Sequence, residues 1–358
     1  MGGMTANPGL TVPLVVLALA LTGCTGSQGS SASPPTTSRA PATSAEASPS
    51  PTGSATGSPT ATTLPVPGPV SLQALMAKQY DGRGLRVGRM LASTSSYTRH
   101  FATYRSGKLR ISGIINVPRG KGPFPVLVLA HGYIDPAVYT NGRGLMREQD
   151  YLARRGYVVL HVDYRNHAQS DDDPKADLQL RLGYTEDVIN AVLAIKKSPL
   201  PYLDKERVGL LGRSLGGGVL FNVLVAQPGL VDAAVAFAPV SSDAADNFDR
   251  WIRGDSQRRA LARRIIAAHG SPEKNPEFWR DASPRTFFER VTEPVLIHHG
   301  TADDTCPIRW SRTTLAALKA AGADATMKTY AGEQHAFGPQ WPRSMQATVA
   351  FFKEHLRA

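Results

Sequence analysis

The stretch DKERVGLLGRSLGGGVLFNVLVA, residues 204–226, changes character at its centre. Its first half, RVGLLG, is a short apolar run of the kind that forms a strand buried on both faces. Its second half, GGVLFNVLVA, has the length and composition of a buried helix. Between them lies Gly212-Arg213-Ser214-Leu215-Gly216, a G-x-S-x-G pattern. A strand that passes directly into a helix needs a sharp turn. Glycines there let neighbouring backbone come close, and the turn lifts the serine hydroxyl to the carboxyl edge of the sheet. The helix aims the positive end of its dipole at the same place. The five letters alone carry little weight, because a chain of this Gly and Ser content would show them by chance about 0.2 times. The strand before and the helix after make Ser214 a candidate nucleophile, with a purely structural glycine turn as the alternative.

A serine hydroxyl is a poor nucleophile until a base takes its proton, so a histidine and an orienting carboxylate should follow it in the chain. The apolar run at 294–299 leads into His299-Gly300-Thr301-Ala302-Asp303-Asp304, where a glycine turn would present a carboxylate at the same sheet edge. The run at 326–330 leads into Ala331-Gly332-Glu333-Gln334-His335, a loop that would bring His335 alongside. Asp303 is taken as the orienting acid, with Asp304 as its near rival. Glu333, though nearer to His335 in sequence, reads as a solvated loop residue. His298 and His299 read as packing or hydrogen-bonding residues of a buried strand, and Cys306 as a small packing residue. An oxyanion needs two N–H donors. Leu215, next after the nucleophile, supplies one, and Tyr133, in the loop after VLVLA, supplies the other. His161 and Asp163 share a strand face without further partners of the kind a metal needs, so neither a metal site nor a cofactor is expected.

Outward from this core the pattern alternates. Short apolar runs at 126–130, 157–163, 207–212, 233–238, 294–299 and 326–330 read as strands. Helical patterns lie between them at 144–155, 185–197, 217–226, 309–321 and 344–357. An opening hairpin is expected over 97–117, turning at Ser106-Gly107. Alternation of this kind predicts an α/β domain with a mostly parallel central sheet flanked by helices. Residues 243–290 break the alternation after the sixth expected strand, with Arg258, Arg259, Arg263 and Arg264 in a polar helical stretch. Two readings stand for it: a small helical cap over the site, or a solvated basic helix.

The front of the chain differs. Residues 10–21 are an apolar run of about 12, too short to span a bilayer of roughly 30 Å as a helix and suited to a signal peptide. It ends in Leu21-Thr22-Gly23-Cys24, which resembles a bacterial lipobox, although no Lys or Arg follows Met1 or Met4. The resemblance implies that residues 1–24 are a lipoprotein signal peptide whose Cys24 is lipidated and then made N-terminal by cleavage just before it, anchoring the chain to the outer face of the cell membrane; plain secretion is the alternative. Residues 25–70, rich in Ser, Thr, Ala, Pro and Gly, have almost nothing to bury and read as a disordered linker spanning on the order of 40 Å. The catalytic domain is then 71–358. Of the 358 residues 42% are hydrophobic, and the net charge of +11 belongs to this domain, because only Arg39 and Glu46 are charged in the first 70. No Lys/Arg block or nucleic-acid motif accompanies the charge, so it reads as diffuse and solvated. The two cysteines, Cys24 and Cys306, do not make a disulfide framework. Oligomeric state is not legible.

The stretches YRSGKLRISGIINVP, VLVLAHGY, DKERVGLLGRSLGGG, SPEKNPEFWRDASP, VLIHHGTADDTCP and YAGEQHAFG together resemble the catalytic domain of the prolyl oligopeptidase family of serine peptidases. The resemblance implies the α/β-hydrolase fold, with Ser214 as nucleophile, Asp303 as acid and His335 as base. It departs from the large family peptidases in leaving no room for their N-terminal β-propeller, and in placing Cys306 where an apolar residue is usual before Pro307. The domain is also similar to dienelactone-hydrolase-like and acetyl-ester-cleaving enzymes. The expected substrate is therefore a small peptide or ester, with a peptidase, a carboxylesterase and a non-catalytic envelope-binding lipoprotein as the readings to weigh.

Overall fold

A computed structural model describes residues 68–356; the leader, Cys24 and the linker up to residue 67 lie outside them. Val70, placed by sequence at the end of the linker, is buried, and Ser71 caps a first helix, α1 (Leu72–Ala77), by accepting from the Ala74 N–H.

The strands are β1 (Arg83–Ser93), β2 (Tyr97–Ser106), β3 (Leu109–Pro118), β4 (Phe124–Ala130), β5 (Val158–Val162), β6 (Leu203–Arg213), β7 (Ala233–Phe237), β8 (Val295–Gly300) and β9 (Ala325–Tyr330). They form one sheet in the order β1-β2-β3-β5-β4-β6-β7-β8-β9. The first three strands and the β3–β5 pairing are antiparallel, and from β5 to β9 every neighbour is parallel. This is the α/β-hydrolase arrangement. β1 was not foreseen: RGLRVGRMLAS is an edge strand with only Leu85 buried, so it carries no apolar alternation. The insertion at 243–290 accordingly follows β7.

Alternate residues of the parallel strands feed two cores. On β4, Val126, Val128 and Ala130 point into one, with α3 (Gly183–Lys196) and α4 (Leu215–Ala226), while Leu127 and Leu129 point into the other, with α2 (Met146–Ala153) and α9 (Trp341–His355). The inner strands, covered on both faces, are mostly apolar and so read as near-continuous runs, whereas β9 at the edge exposes Thr326, Lys328 and Thr329. The remaining helices are α5 (Ala244–Phe248), α6 (Arg259–His269) and α7 (Pro276–Asp281) of the insertion, and α8 (Ile308–Ala320). Among the described residues no helix is long and apolar enough to cross a membrane.

Candidate active site

Ser214 occupies the turn between β6 and α4 with φ 56° and ψ −121°. A non-glycine residue is strained there, and backbone bonds hold it in place. Its N–H donates to the Phe237 carbonyl at 2.9 Å, and its carbonyl accepts from Gly217 at 2.9 Å and Val240 at 3.1 Å. Gly216 is required: a Cβ there would run into the Ala130 carbonyl. A Cβ on Gly132 would lie 3.1 Å from Ser214 Cβ, so the loop after β4 passes directly beside Ser214. Arg213 turns elsewhere, pairing at 2.5 Å with buried Glu148 of α2.

The loops after β8 and β9 are zipped together, with Thr301 N–H on the Tyr330 carbonyl and Ala302 N–H on the Glu333 carbonyl. This brings Asp303 and His335 into contact: His335 Nδ1 lies 2.9 Å from Asp303 Oδ2. The other carboxylate oxygen accepts from the amides of Thr305 and Cys306 at 3.0 and 2.9 Å. His299 Nε2 donates to the Cys306 carbonyl at 2.8 Å and lies 3.2 Å from Asp303 Oδ2, while its Nδ1 meets Ser311 Oγ at 2.7 Å. Burial opposes the charge on Asp303, but the hydrogen bonds from His299 and His335 and the Cys306 amide outweigh it and hold the carboxyl below the usual carboxylate range. Among the described residues the Asp304 carboxylate meets only Thr305 Oγ1.

Ser214 and His335 open onto one cavity of about 370 Å³. Among the described residues no hydrogen bond joins them, and Ser214 Oγ has the Cys306 thiol 4.0 Å away. Catalytic hydrogen bonds commonly tighten only when substrate is bound. Burial, with Asp303 nearby, pushes that thiol up to about 12, so it stays a neutral packing group. Leu215 is the first residue of α4, so its N–H has no partner within the helix. Tyr133 lines the cavity, its half-exposed ring flanked by Arg181 and Arg258, each 4.6 Å from the ring centroid. Among the described residues no group of His, Cys, Asp or Glu is placed to hold a metal.

Two sequence readings need correction. Glu333 is not solvated: it is buried and accepts the N–H groups of Gly338 and Gln340, closing the loop that carries His335. The solvated reading of the basic helix suits Arg259, Arg263 and Arg264, which are exposed, but not half-buried Arg258. Phe248, Trp251, Ile252 and Ile265 of the insertion line the cavity, so the segment covers the site. The contact of His299 with Asp303 was missed as such. Its only sequence signal was a histidine on a buried strand four residues before the candidate acid.

Residues 144–358 match the sequence profile of the prolyl oligopeptidase family. The chain belongs to the prolyl oligopeptidase family. Within this family of serine hydrolases it is 29% identical over 224 residues to the uncharacterised peptidase YuxL of Bacillus subtilis, a match covering 60% of this chain and 31% of that one. It is likewise 29% identical over 215 residues to esterase EstD of Thermotoga maritima, covering 54% and 50%. The chain thus spans a third to a half of the length of these curated relatives. Its fold is similar to acylaminoacyl peptidase of Pyrococcus horikoshii, with a TM-score of 0.58 at 20% identity over 74% of this chain and 42% of that one.

Proposed function

We propose that the chain is a serine hydrolase acting through an acyl-enzyme, with a peptide as its principal class of substrate. The acyl-enzyme reading is carried by the 2.9 Å bond from His335 Nδ1 to Asp303, on a cavity that also holds the strained Ser214, and the choice of a peptide is supported by the family match. With its Nδ1 proton committed to Asp303, His335 has its Nε2 lone pair free to accept the Ser214 proton. Ser214 Oγ attacks the acyl carbon, and the carbonyl oxygen takes up the negative charge against the N–H groups of Leu215 and Tyr133. His335 returns the proton to the leaving nitrogen or oxygen as that bond breaks. Water, deprotonated by the same imidazole, then attacks the acyl-enzyme and releases the acid and free Ser214. Asp303 stays ionised and stabilises the imidazolium.

The esterase among the relatives supports a second reading, a carboxylesterase using the same machinery. A fluorophosphonate probe should label Ser214, and Ser214→Ala should abolish both labelling and turnover; labelling that persists in Ser214→Ala overturns the assignment. Aminoacyl anilides and p-nitrophenyl esters then separate the readings, since ester turnover without anilide cleavage refutes the peptidase. The leader supports a further proposal, that Cys24 anchors the protein to the outer face of the cell membrane. Metabolic labelling with a fatty acid should fail in Cys24→Ser; equal labelling of that variant refutes it.

A further inference from the structure

The insertion touches both loops that flank Ser214, through one ten-residue segment. This segment runs from a π-helical turn, Asp249–Arg253, to a 3-10 turn, Ser256–Arg258. Near its start, Arg250 donates from Nε to the Thr305 carbonyl at 2.8 Å and from Nη2 to the Asp304 carbonyl. The amides of the same loop point the other way, onto Asp303. The acid loop is therefore held between a carboxylate on its N–H side and a guanidinium on its carbonyl side. At the segment's end, Arg258 lies against the ring of Tyr133, whose backbone is a proposed oxyanion donor. Arg181 lies equally near the same ring, is tied to Asp177 at 2.6 Å, and follows Leu180 in a second consecutive left-handed conformation, φ 51° and 58°. Such conformations persist in non-glycine residues only where surrounding contacts enforce them. Between the two arginine anchors, Trp251, Ile252 and Asp255 line the cavity. Trp251 also packs on Cys306, Trp310 and Val240.

Whatever fills the cavity must press on the segment that grips both loops. The direction of filling follows from the site. The oxyanion is directed at Leu215 and Tyr133, and the leaving group belongs at the partly exposed His335. The third substituent of the acyl carbon is left to run along α4 past Leu215, Gly218 and Val219.

We propose that residues 249–258 form a strap that couples filling of this cavity to alignment of the two loops beside Ser214. The enzyme then favours substrates with a large, uncharged apolar acyl group and expresses that preference in kcat. This rests on the serine-hydrolase reading above. Arg250 and Arg258 are positioning residues in it, acting through the acid loop and through Tyr133. Binding energy from a remote group that is spent on aligning catalytic parts raises kcat, whereas uniform binding only lowers KM.

The test is a series of p-nitrophenyl esters from acetyl to octanoyl and 3-phenylpropanoyl, hydrolysed by the full chain. For the wild type, kcat should rise about tenfold or more from acetyl to octanoyl, as improved alignment of reacting groups allows. Arg250→Met with Arg258→Met should lower kcat most for the long acyl groups and flatten the series, and the paired lysine substitutions should restore part of the slope. A wild-type kcat flat across the series, with only KM falling, overturns the strap; so does a double variant that slows every ester by the same factor. The wild-type series decides even if the variants fail to fold. Absence of all Ser214-dependent hydrolysis would instead reject the underlying enzyme assignment.

Discussion

Asp303→Asn replaces one oxygen by an NH2 group in a fully determined setting. One carboxylate oxygen accepts from the Thr305 and Cys306 amides, so the remaining oxygen of asparagine is held there. The NH2 must then occupy the other position, 2.9 Å from His335 Nδ1 and 3.2 Å from His299 Nε2. Facing a donor, His335 Nδ1 becomes an acceptor and its proton moves to Nε2, the atom that must receive the proton of Ser214. The wrong tautomer costs about 10⁴-fold in kcat, or about 5.4 kcal/mol of barrier. None of the cavity wall changes, so KM should stay within about threefold, since only transition-state stabilisation is lost. His299 cannot relieve the new donor–donor contact by giving up its Nε2 proton, because the Cys306 carbonyl requires it. The misfit should therefore also lower folding stability by about 1–3 kcal/mol. Steady-state ester hydrolysis and urea unfolding measure the two effects. Asp304, whose carboxylate is exposed and bonds Thr305 Oγ1, is the control: Asp304→Asn should leave kcat within about twofold. A kcat for Asp303→Asn within tenfold of wild type, in a folded protein, refutes the assignment of the acid.

Gly216→Ala drives a Cβ into the Ala130 carbonyl, backbone against backbone, and should destabilise the turn by about 3 kcal/mol or more, read as a fall in the urea midpoint. His131, His161 and His298 are held neutral in the folded protein, each pushed to about 3 with burial as the main cause. The unfolded chain protonates them near 6.5, so their contribution is complete above that pH and is lost as the pH falls toward 3. His298→Gln should reduce the slope of unfolding free energy between pH 4 and 6 by about 1.4 kcal/mol per pH unit; an unchanged slope would show that His298 does not resist protonation. In a Cys24→Ser chain, Cys306 should resist iodoacetamide at pH 8 until denatured, because its thiol is buried and pushed up to about 12; rapid native labelling would contradict that burial.

The chain's local patterns carried the scaffold and the candidate site residues. Six runs became strands, and the inner ones read as apolar because a sheet covered on both faces favours apolar side chains, although β5 and β8 also bury His161, His298 and His299 and the edge strand β9 exposes Thr326, Lys328 and Thr329. The turn residues around Ser214, Asp303 and His335 marked the points where those strands end. Local pattern could not reveal partners that are remote in the chain. β1 was invisible because an edge strand needs no apolar face. Glu333 looked like any loop carboxylate until folding closed backbone donors around it, and His299 became a hydrogen-bond partner of Asp303 only when β8 and its following turn set the two side chains together. Arg250 and Arg258 belong to a stretch whose composition suits solvent equally well. Their roles depend on carbonyls near residue 305 and a ring at residue 133, and only tertiary packing decides which groups a long, flexible guanidinium meets.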